Sequence, residues 1–386
     1  MELSDFRDPP GRIIERSSPS SGRVYNAYVP NPLPPEGQEA AIAANTLLLA
    51  EATHAVGQLD GIATFMPNPM LLVEPYMRRE AVLSSRIEGL HTTHAELATL
   101  EAMGELSQIG DARDVHNYVV ALEYGLRHVQ ENGLSRALVE TIHRKLLQGA
   151  RGEPFSGPGE FRTVQNHIGN TRDHDLARFV PPPPDEMQAA LDAFFRFLTD
   201  GGARIPALVE AAWVHYQFET IHPFLDGNGR VGRVLIPLLL AWRNQLKHPL
   251  LYLSPYFERN RTAYYDLLYS VSAAGSWSAW LRFFLTGVRE QADESARLSR
   301  AIIDLGLDWQ QRLTGHRATA NAQRLAQHVL QFVAVDAKAA GRFLEVTPQT
   351  AYKSIEALVE VGILEEVTGR PWGRVFLSPE LRVLLD

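Results

Sequence analysis

Twelve consecutive residues, His222-Pro223-Phe224-Leu225-Asp226-Gly227-Asn228-Gly229-Arg230-Val231-Gly232-Arg233, concentrate the side chains here that can do chemistry. His222 has a pKa range suited to removing a hydroxyl proton. Asp226 is a hard oxygen ligand of the kind magnesium accepts, one or two at a time, beside phosphate and water. The glycines let backbone N–H groups converge and let a phosphate approach closely, and a helix opening near Gly229 adds partial positive charge. Asn228 can add a side-chain donor. Arg230 and Arg233 carry permanently charged planar forks three residues apart, on one side of that helix start. Together these are parts for holding a nucleoside triphosphate while an oxygen nucleophile attacks it. Phe224 reads as the core anchor of the loop.

The order of these residues matches, without a gap, the signature HxFx(D/E)GNGRxxR, and in this the chain resembles the Fic family. The resemblance implies transfer of AMP from ATP to a Ser, Thr or Tyr hydroxyl of a target protein, with release of pyrophosphate. It implies His222 as general base and Asp226 as the Mg²⁺ ligand. Gly227, Asn228 and Gly229 would form the anion hole, and Arg230 and Arg233 would hold the β- and γ-phosphates. Gly159-x-Phe161-Arg162, followed by Ile168-Gly169, resembles the segment leading into the family's target-docking flap. Val164, Gln165, Asn166, His167 and Ile168 would then offer an open strand edge to a target segment. Tyr264, Tyr265 and Leu268 resemble the adenine-pocket residues, with Asn260 and Gln217 as further candidates. The position eight after Tyr264, often Asn in relatives, is Ser272 here.

Ser84-Ser85-Arg86-Ile87-Glu88-Gly89 resembles the family's inhibitory motif, (S/T)xxxE(G/N). The resemblance implies that Glu88 pairs with Arg233 and displaces the γ-phosphate, with Ser84 one helical turn earlier on the same face. The same glutamate could also serve removal of AMP, so a de-AMPylating hydrolase is the alternative enzyme. A nucleotide-sensing DNA-binding regulator is the alternative of a different class.

The elements that must position these residues are mainly helical. Residues 1–36, rich in Pro, Ser and Gly, read as an extended arm anchored by Tyr25 and Tyr28. Residues 37–112 read as a helical region that contains the inhibitory helix, which starts at Asn68-Pro69, bends at Pro75 and stops at Gly89, and a further helix over 93–106. Residues 113–292 form the catalytic core, with helices over 113–132, 135–147, 185–198, 206–220, 229–244 and 261–274. Residues 152–184, with four consecutive prolines, break that rhythm and read as a β-hairpin flap. Residues 276–291 read as one helix and 294–313 as another, the latter linking to a last unit over 315–386. There, Thr347-Pro348 opens a helix, and strand patterns at 363–367 and 374–377 flank a Gly-rich turn, the order of a winged helix.

The bulk composition agrees with a multi-domain globular chain. It has 386 residues, 45% hydrophobic and 21% charged, with net charge −8 and no cysteine. Disulfides, thiolate metal sites and cysteine nucleophiles are excluded. The acidic balance argues against nonspecific nucleic-acid binding, and residues 315–386 carry eight Arg/Lys against eight Asp/Glu, so DNA is a less favoured partner than protein. A second copy of the chain is a further candidate partner. The longest apolar run, 234–242, is too short to span a bilayer. The start of the chain lacks a basic end followed by an apolar stretch. A cytoplasmic enzyme is therefore expected.

Overall fold

The structure is a computed structural model that describes residues 1, 3–17, 22–64, 66, 68–105, 110–150, 157–169, 177–201 and 204–385. The chain opens on a hairpin rather than an extended arm. β1 (Gly11–Ser17) and β2 (Val24–Pro30) pair antiparallel with Gly11 opposite Pro30. Val24 to Pro30 is apolar enough for its second half to be buried on both faces, and Tyr25, Ala27 and Tyr28 are buried. Tyr28 N–H donates to the Val180 carbonyl at 2.9 Å, which draws β2 onto the chain around the flap.

Helices α1 (Gln38–Ala43), α2 (Thr46–Thr64), α3 (Met70–Ile87), α4 (His94–Met103), α5 (Gly110–Asn132) and α6 (Arg136–Leu147) follow. Their starts are written in the sequence. Thr93 and Glu96 form a reciprocal capping box, and Ser135 accepts from Leu138 N–H. After the flap come α7 (Pro184–Arg196), α8 (Ala207–Ile221), α9 (Asn228–Trp242), α10 (Ser254–Arg259) and α11 (Arg261–Ala274). Every residue of α8 from Leu208 to Ile221 is buried, including Glu210, His215, Gln217 and Glu219. A helix buried all round must sit at the centre of the core, and each of its polar side chains then needs a reason to be there.

Where two helices were expected over 276–291 and 294–313, one continuous helix runs, α12 (Trp277–Gly315). The junction Gln291-Ala292-Asp293-Glu294 contains neither Gly nor Pro, so nothing breaks it. Gly287 falls inside α12 because the Tyr256 ring packs against it. The last unit comprises α13 (Ala320–Phe332), β3 (Ala334–Asp336), α14 (Ala337–Leu344), α15 (Pro348–Glu360), β4 (Glu365–Glu366), β5 (Val375–Leu377) and α16 (Pro379–Leu385). Its small sheet has the order β3-β5-β4, all antiparallel. This unit packs on α3 and α4. Arg78 of α3 lies 5.0 Å from the Phe332 ring centre and pairs with Glu74 at 2.7 Å and Glu101 at 2.8 Å. No helix among the described residues is long and apolar enough to cross a membrane.

Candidate active site

α8 ends because Pro223 follows. The residue before a proline is pushed out of the right-handed helical region, and His222 takes the left-handed conformation, φ 50° and ψ 60°. That strained turn directs the imidazole to the rim of a cavity of about 640 Å³. Nδ1 lies 3.1 Å from the Glu219 carbonyl. A carbonyl only accepts, so Nδ1 carries the proton and Nε2 is left as the basic nitrogen. Burial pushes the imidazole down to about 4, with the Glu219 carbonyl opposing. His222 is therefore neutral at pH 7, the form a base needs.

The loop after His222 is closed from several directions. Asn228 accepts from Phe224 N–H and donates to the Phe224 carbonyl, both at 2.8 Å. Its amide thus closes the loop through its oxygen and one of its two N–H groups. Gly227, at φ 76°, is the N-cap, and α9 begins at Asn228, one residue before the expected Gly229. The first-turn N–H groups of Asn228, Gly229 and Arg230 have no acceptor within the helix, leaving a positive end facing the cavity. Phe224 is fully buried and stacks on His143 at 3.6 Å between ring centres.

His143, Arg162 and Asn166 complete the clasp. Gly159 N–H donates to His143 Nδ1 at 2.8 Å, so Nε2 is the protonated nitrogen and donates to the Asp226 carbonyl at 3.0 Å. Arg162 donates through Nε to the His222 carbonyl at 2.9 Å. Asn166 donates to the Phe224 carbonyl at 2.8 Å. Thus the side chain of Asn166, on the segment expected to face a target, ties down the loop. Gln165 reaches the Pro181 carbonyl at 3.0 Å. Val164 is exposed, His167 lines the cavity, and Ile168 bridges antiparallel to Phe179. The tip of the expected flap hairpin, 170–176, lies outside the described residues.

Both arginines are buried, at 5% and 2% exposure. Arg230 keeps Nε and Nη1 without an acceptor, and its Nη2 is 3.9 Å from Asp226. Arg233 is engaged through Nε and Nη2. Nε donates to Ser84 Oγ at 2.8 Å, and Nη2 to the Ser84 carbonyl at 3.0 Å and to Glu88 Oε1 at 2.6 Å. Glu88 is aimed by its helix end. It is the C-cap of α3, Gly89 follows at φ 83°, and Leu90 N–H and Gly89 N–H return to the Ser85 and Arg86 carbonyls. This is a glycine-dependent helix stop that fixes the direction of the capping residue. A Cβ on Gly229 would overlap Glu88 Oε1, so the glycine of the loop also admits the carboxylate. Burial raises the Glu88 carboxyl most strongly, but Arg233, then Arg230 and His222, more than offset it and hold it below the ordinary range.

The far wall of the cavity carries Tyr264, Tyr265, Leu268 and Ser272. Tyr264 is buried, with its hydroxyl 2.8 Å from His215 Nε2. Gln217 and Asn260 point elsewhere, donating to the carbonyls of Asn31 at 3.0 Å and Tyr256 at 2.9 Å, which corrects their expected nucleoside contacts. Nothing in the sequence marks His143, His215 or the Glu219 side chain. Each is a lone polar residue in a helical pattern, far in sequence from the loop or outside its motif.

Among the described residues, no group of three or more His, Asp or Glu side chains could cage a metal on its own. Asp226 leaves 58% of its side chain exposed and uses Oδ1 to accept from Gly227 N–H at 2.6 Å. A single accessible carboxylate suits a magnesium ion that phosphates and water otherwise coordinate.

Residues 46–127 match the model for the Fic/DOC family N-terminal region, and residues 133–240 match the Fic/DOC family model. The chain is 29% identical over 181 residues to the protein adenylyltransferase Fic of Aedes aegypti, covering 45% of this chain and 33% of that protein. It is 28% identical over 137 residues to that of Drosophila persimilis, covering 34% of this chain and 25% of that protein. The chain therefore spans a quarter to a third of the length of these curated relatives. A crystal structure of a Fic family protein from Desulfovibrio desulfuricans G20 superposes with a TM-score of 0.55 at 19% identity, over 87% of this chain and 96% of that one. At that identity the likeness speaks for the fold.

Proposed function

The chain belongs to the Fic/DOC family, and we propose that it transfers AMP from ATP to a hydroxyl of a Ser, Thr or Tyr in a target protein, with Glu88 as a built-in brake. The observation that carries the reading is the convergence, in one cavity, of a neutral imidazole with a free Nε2, an open helix N-terminus and two buried arginines. The target oxygen attacks the α-phosphorus while its proton passes to His222 Nε2. The bond from the α-phosphorus to the bridging oxygen breaks, and pyrophosphate leaves. The first-turn N–H groups and Arg230 hold the phosphate oxygens, and positioning with charge neutralisation supplies most of the rate. Asp226 would hold Mg²⁺, which supplies charge neutralisation on the phosphates when bound.

Glu88 competes with the γ-phosphate for Arg233. A charge-assisted hydrogen bond contributes roughly 1.5–3 kcal/mol, which sets a ten- to hundredfold bias toward the braked state. The target segment would dock along Val164–Ile168, where Val164 is exposed beside the cavity. Residues 315–386 would form a winged-helix unit that contacts protein, including a second copy of the chain, rather than DNA, because its charges balance. The direct test is intact-mass analysis of the Glu88→Gly protein, and of added lysate proteins, after incubation with ATP and Mg²⁺. One added AMP with matching pyrophosphate release supports transfer. ATP binding without any adduct or pyrophosphate would overturn it.

A further inference from the structure

Glu219 stands one helical turn before His222, on the face of α8 that lines the cavity. Its carbonyl fixes the imidazole tautomer, but the transfer chemistry leaves its side chain without a role. That side chain sits in a costly place. The residue is 9% exposed, and Oε1 is buried without a hydrogen-bond partner. Oε1 lies over Gly232, where a Cβ would overlap it, so the helix that carries both arginines makes room for this carboxyl. Burial raises Glu219 to about 8, with Arg233 opposing and Glu88 adding to the rise. At neutral pH the group is largely protonated and can both donate and accept.

Its place along the cavity suggests what it meets. Gly229 and Arg233 mark the phosphate end, and Tyr265 and Leu268 form the apolar wall suited to a base. Glu219 lines the same cavity within electrostatic reach of both, its charge acting on Arg233 on one side and on Tyr264 and Tyr265 on the other. Ser272 Oγ, on the same cavity, is 2.8 Å from the Tyr216 hydroxyl. Among the described residues neither carboxyl oxygen of Glu219 has a hydrogen-bond partner, and because Oε1 is packed over Gly232, Oε2 is the oxygen left to meet a ligand. The part of a nucleotide lying between phosphate and base is the pentose, whose hydroxyls pair with either a donor or an acceptor.

We propose that Glu219 is a specificity-determining residue that receives a pentose hydroxyl of the bound nucleotide and selects ribonucleotides over deoxyribonucleotides. The inference rests on the reading of the cavity as a nucleoside triphosphate site. A site built to hydrogen-bond a substrate hydroxyl rejects the analogue that lacks it, because its own buried group is then left unpaired.

The test is equilibrium binding of ATP, 2′-deoxy-ATP and 3′-deoxy-ATP to Glu88→Gly protein, alone and with Glu219→Gln or Glu219→Val added. The parent should bind at least one deoxy analogue about tenfold more weakly than ATP. Glu219→Val should lose about tenfold for ATP while leaving that analogue within about twofold, and Glu219→Gln should keep the preference. Equal binding of all three nucleotides by the parent overturns the proposal without need of a variant. So does an equal loss for all three in a folded Glu219→Val protein. Either result leaves AMP transfer standing. Failure of the parent to bind ATP at all would overturn this proposal together with the nucleotide reading beneath it.

Discussion

The loop at 222–233 and the helix end at 84–89 meet at Arg233 but are built on opposite plans. The loop is over-determined. His143, Arg162, Asn166 and Asn228 tie its carbonyls and N–H groups from the α6 helix, the flap and the loop itself. The helix end has a fixed direction, set by the Gly89 stop, but the Glu88 side chain is a third exposed and held by one guanidinium. Removing Glu88 would leave every tie of the loop in place. On the proposed reading the loop is machinery and the helix end a switch: a phosphate cradle would have to persist through turnover, whereas a brake would have to be able to leave.

The largest expected effect falls on the rigid side. In a Glu88→Gly background, His222→Ala should lower AMP incorporation by at least about a hundredfold while leaving ATP affinity within a few-fold, since it removes a base and no phosphate contact. Equal losses in binding and turnover would mean that His222 holds the nucleotide instead. On the mobile side, Glu88→Gly should raise incorporation by about ten- to hundredfold and tighten ATP binding. Thermal unfolding should change little, because Arg233 keeps both contacts to Ser84. A large fall in melting temperature would make the pair a structural tie and erase the contrast.

Asn228→Ala sharpens the comparison through stability. It removes two buried hydrogen bonds that close the loop and should cost about 1–3 kcal/mol, read as a lower midpoint in denaturant. The smallest effect concerns pH. Burial holds His222 near 4, and Glu88, which opposes that shift, is absent from the activated variant. At pH 5.5 an ordinary imidazole would leave only about a tenth of the base unprotonated, whereas His222 should remain almost wholly neutral. The turnover of Glu88→Gly should therefore hold nearly flat from pH 8 to pH 5.5, and an acid limb near 6.5 would contradict the assignment. The linked stability has a definite sign. The unfolded chain binds the proton near 6.5 and the folded one only near 4, so the contribution of His222 is present above 6.5 and is lost as pH falls through that window. His143, also held down to about 4 by burial, adds in the same direction.

The loop stands out in the sequence because the chemistry proposed for it needs contiguous residues: a base before a helix-breaking proline, glycines at the turn, arginines one turn into the next helix. Helix starts were legible at Thr93, Ser135 and Thr347, where the cap is a local bond. What escaped depends on distance. His143 lies 83 residues from the Asp226 carbonyl it holds, and a histidine in a helical pattern carries no mark of that partner. The β1–β2 hairpin escaped because its strands sit among Pro, Ser and Gly and are half-polar, so their periodicity is weak until the partner face is known. Asn228 is of a type that can donate to phosphate, and only the fold reveals that its amide oxygen and one N–H are tied to Phe224.

The central claim is that Glu88 and the γ-phosphate compete for Arg233 in an AMP-transferring site. The measurement that tests it most directly is incorporation of label from α-labelled ATP with Mg²⁺ into wild type, Glu88→Gly, and Glu88→Gly/His222→Ala, each with ATP affinity measured in parallel. The expected result is weak labelling of the wild type, strong labelling of the single variant with tighter ATP binding, and loss of labelling in the double variant with ATP still bound. Equal labelling and equal ATP affinity in wild type and Glu88→Gly would contradict the claim.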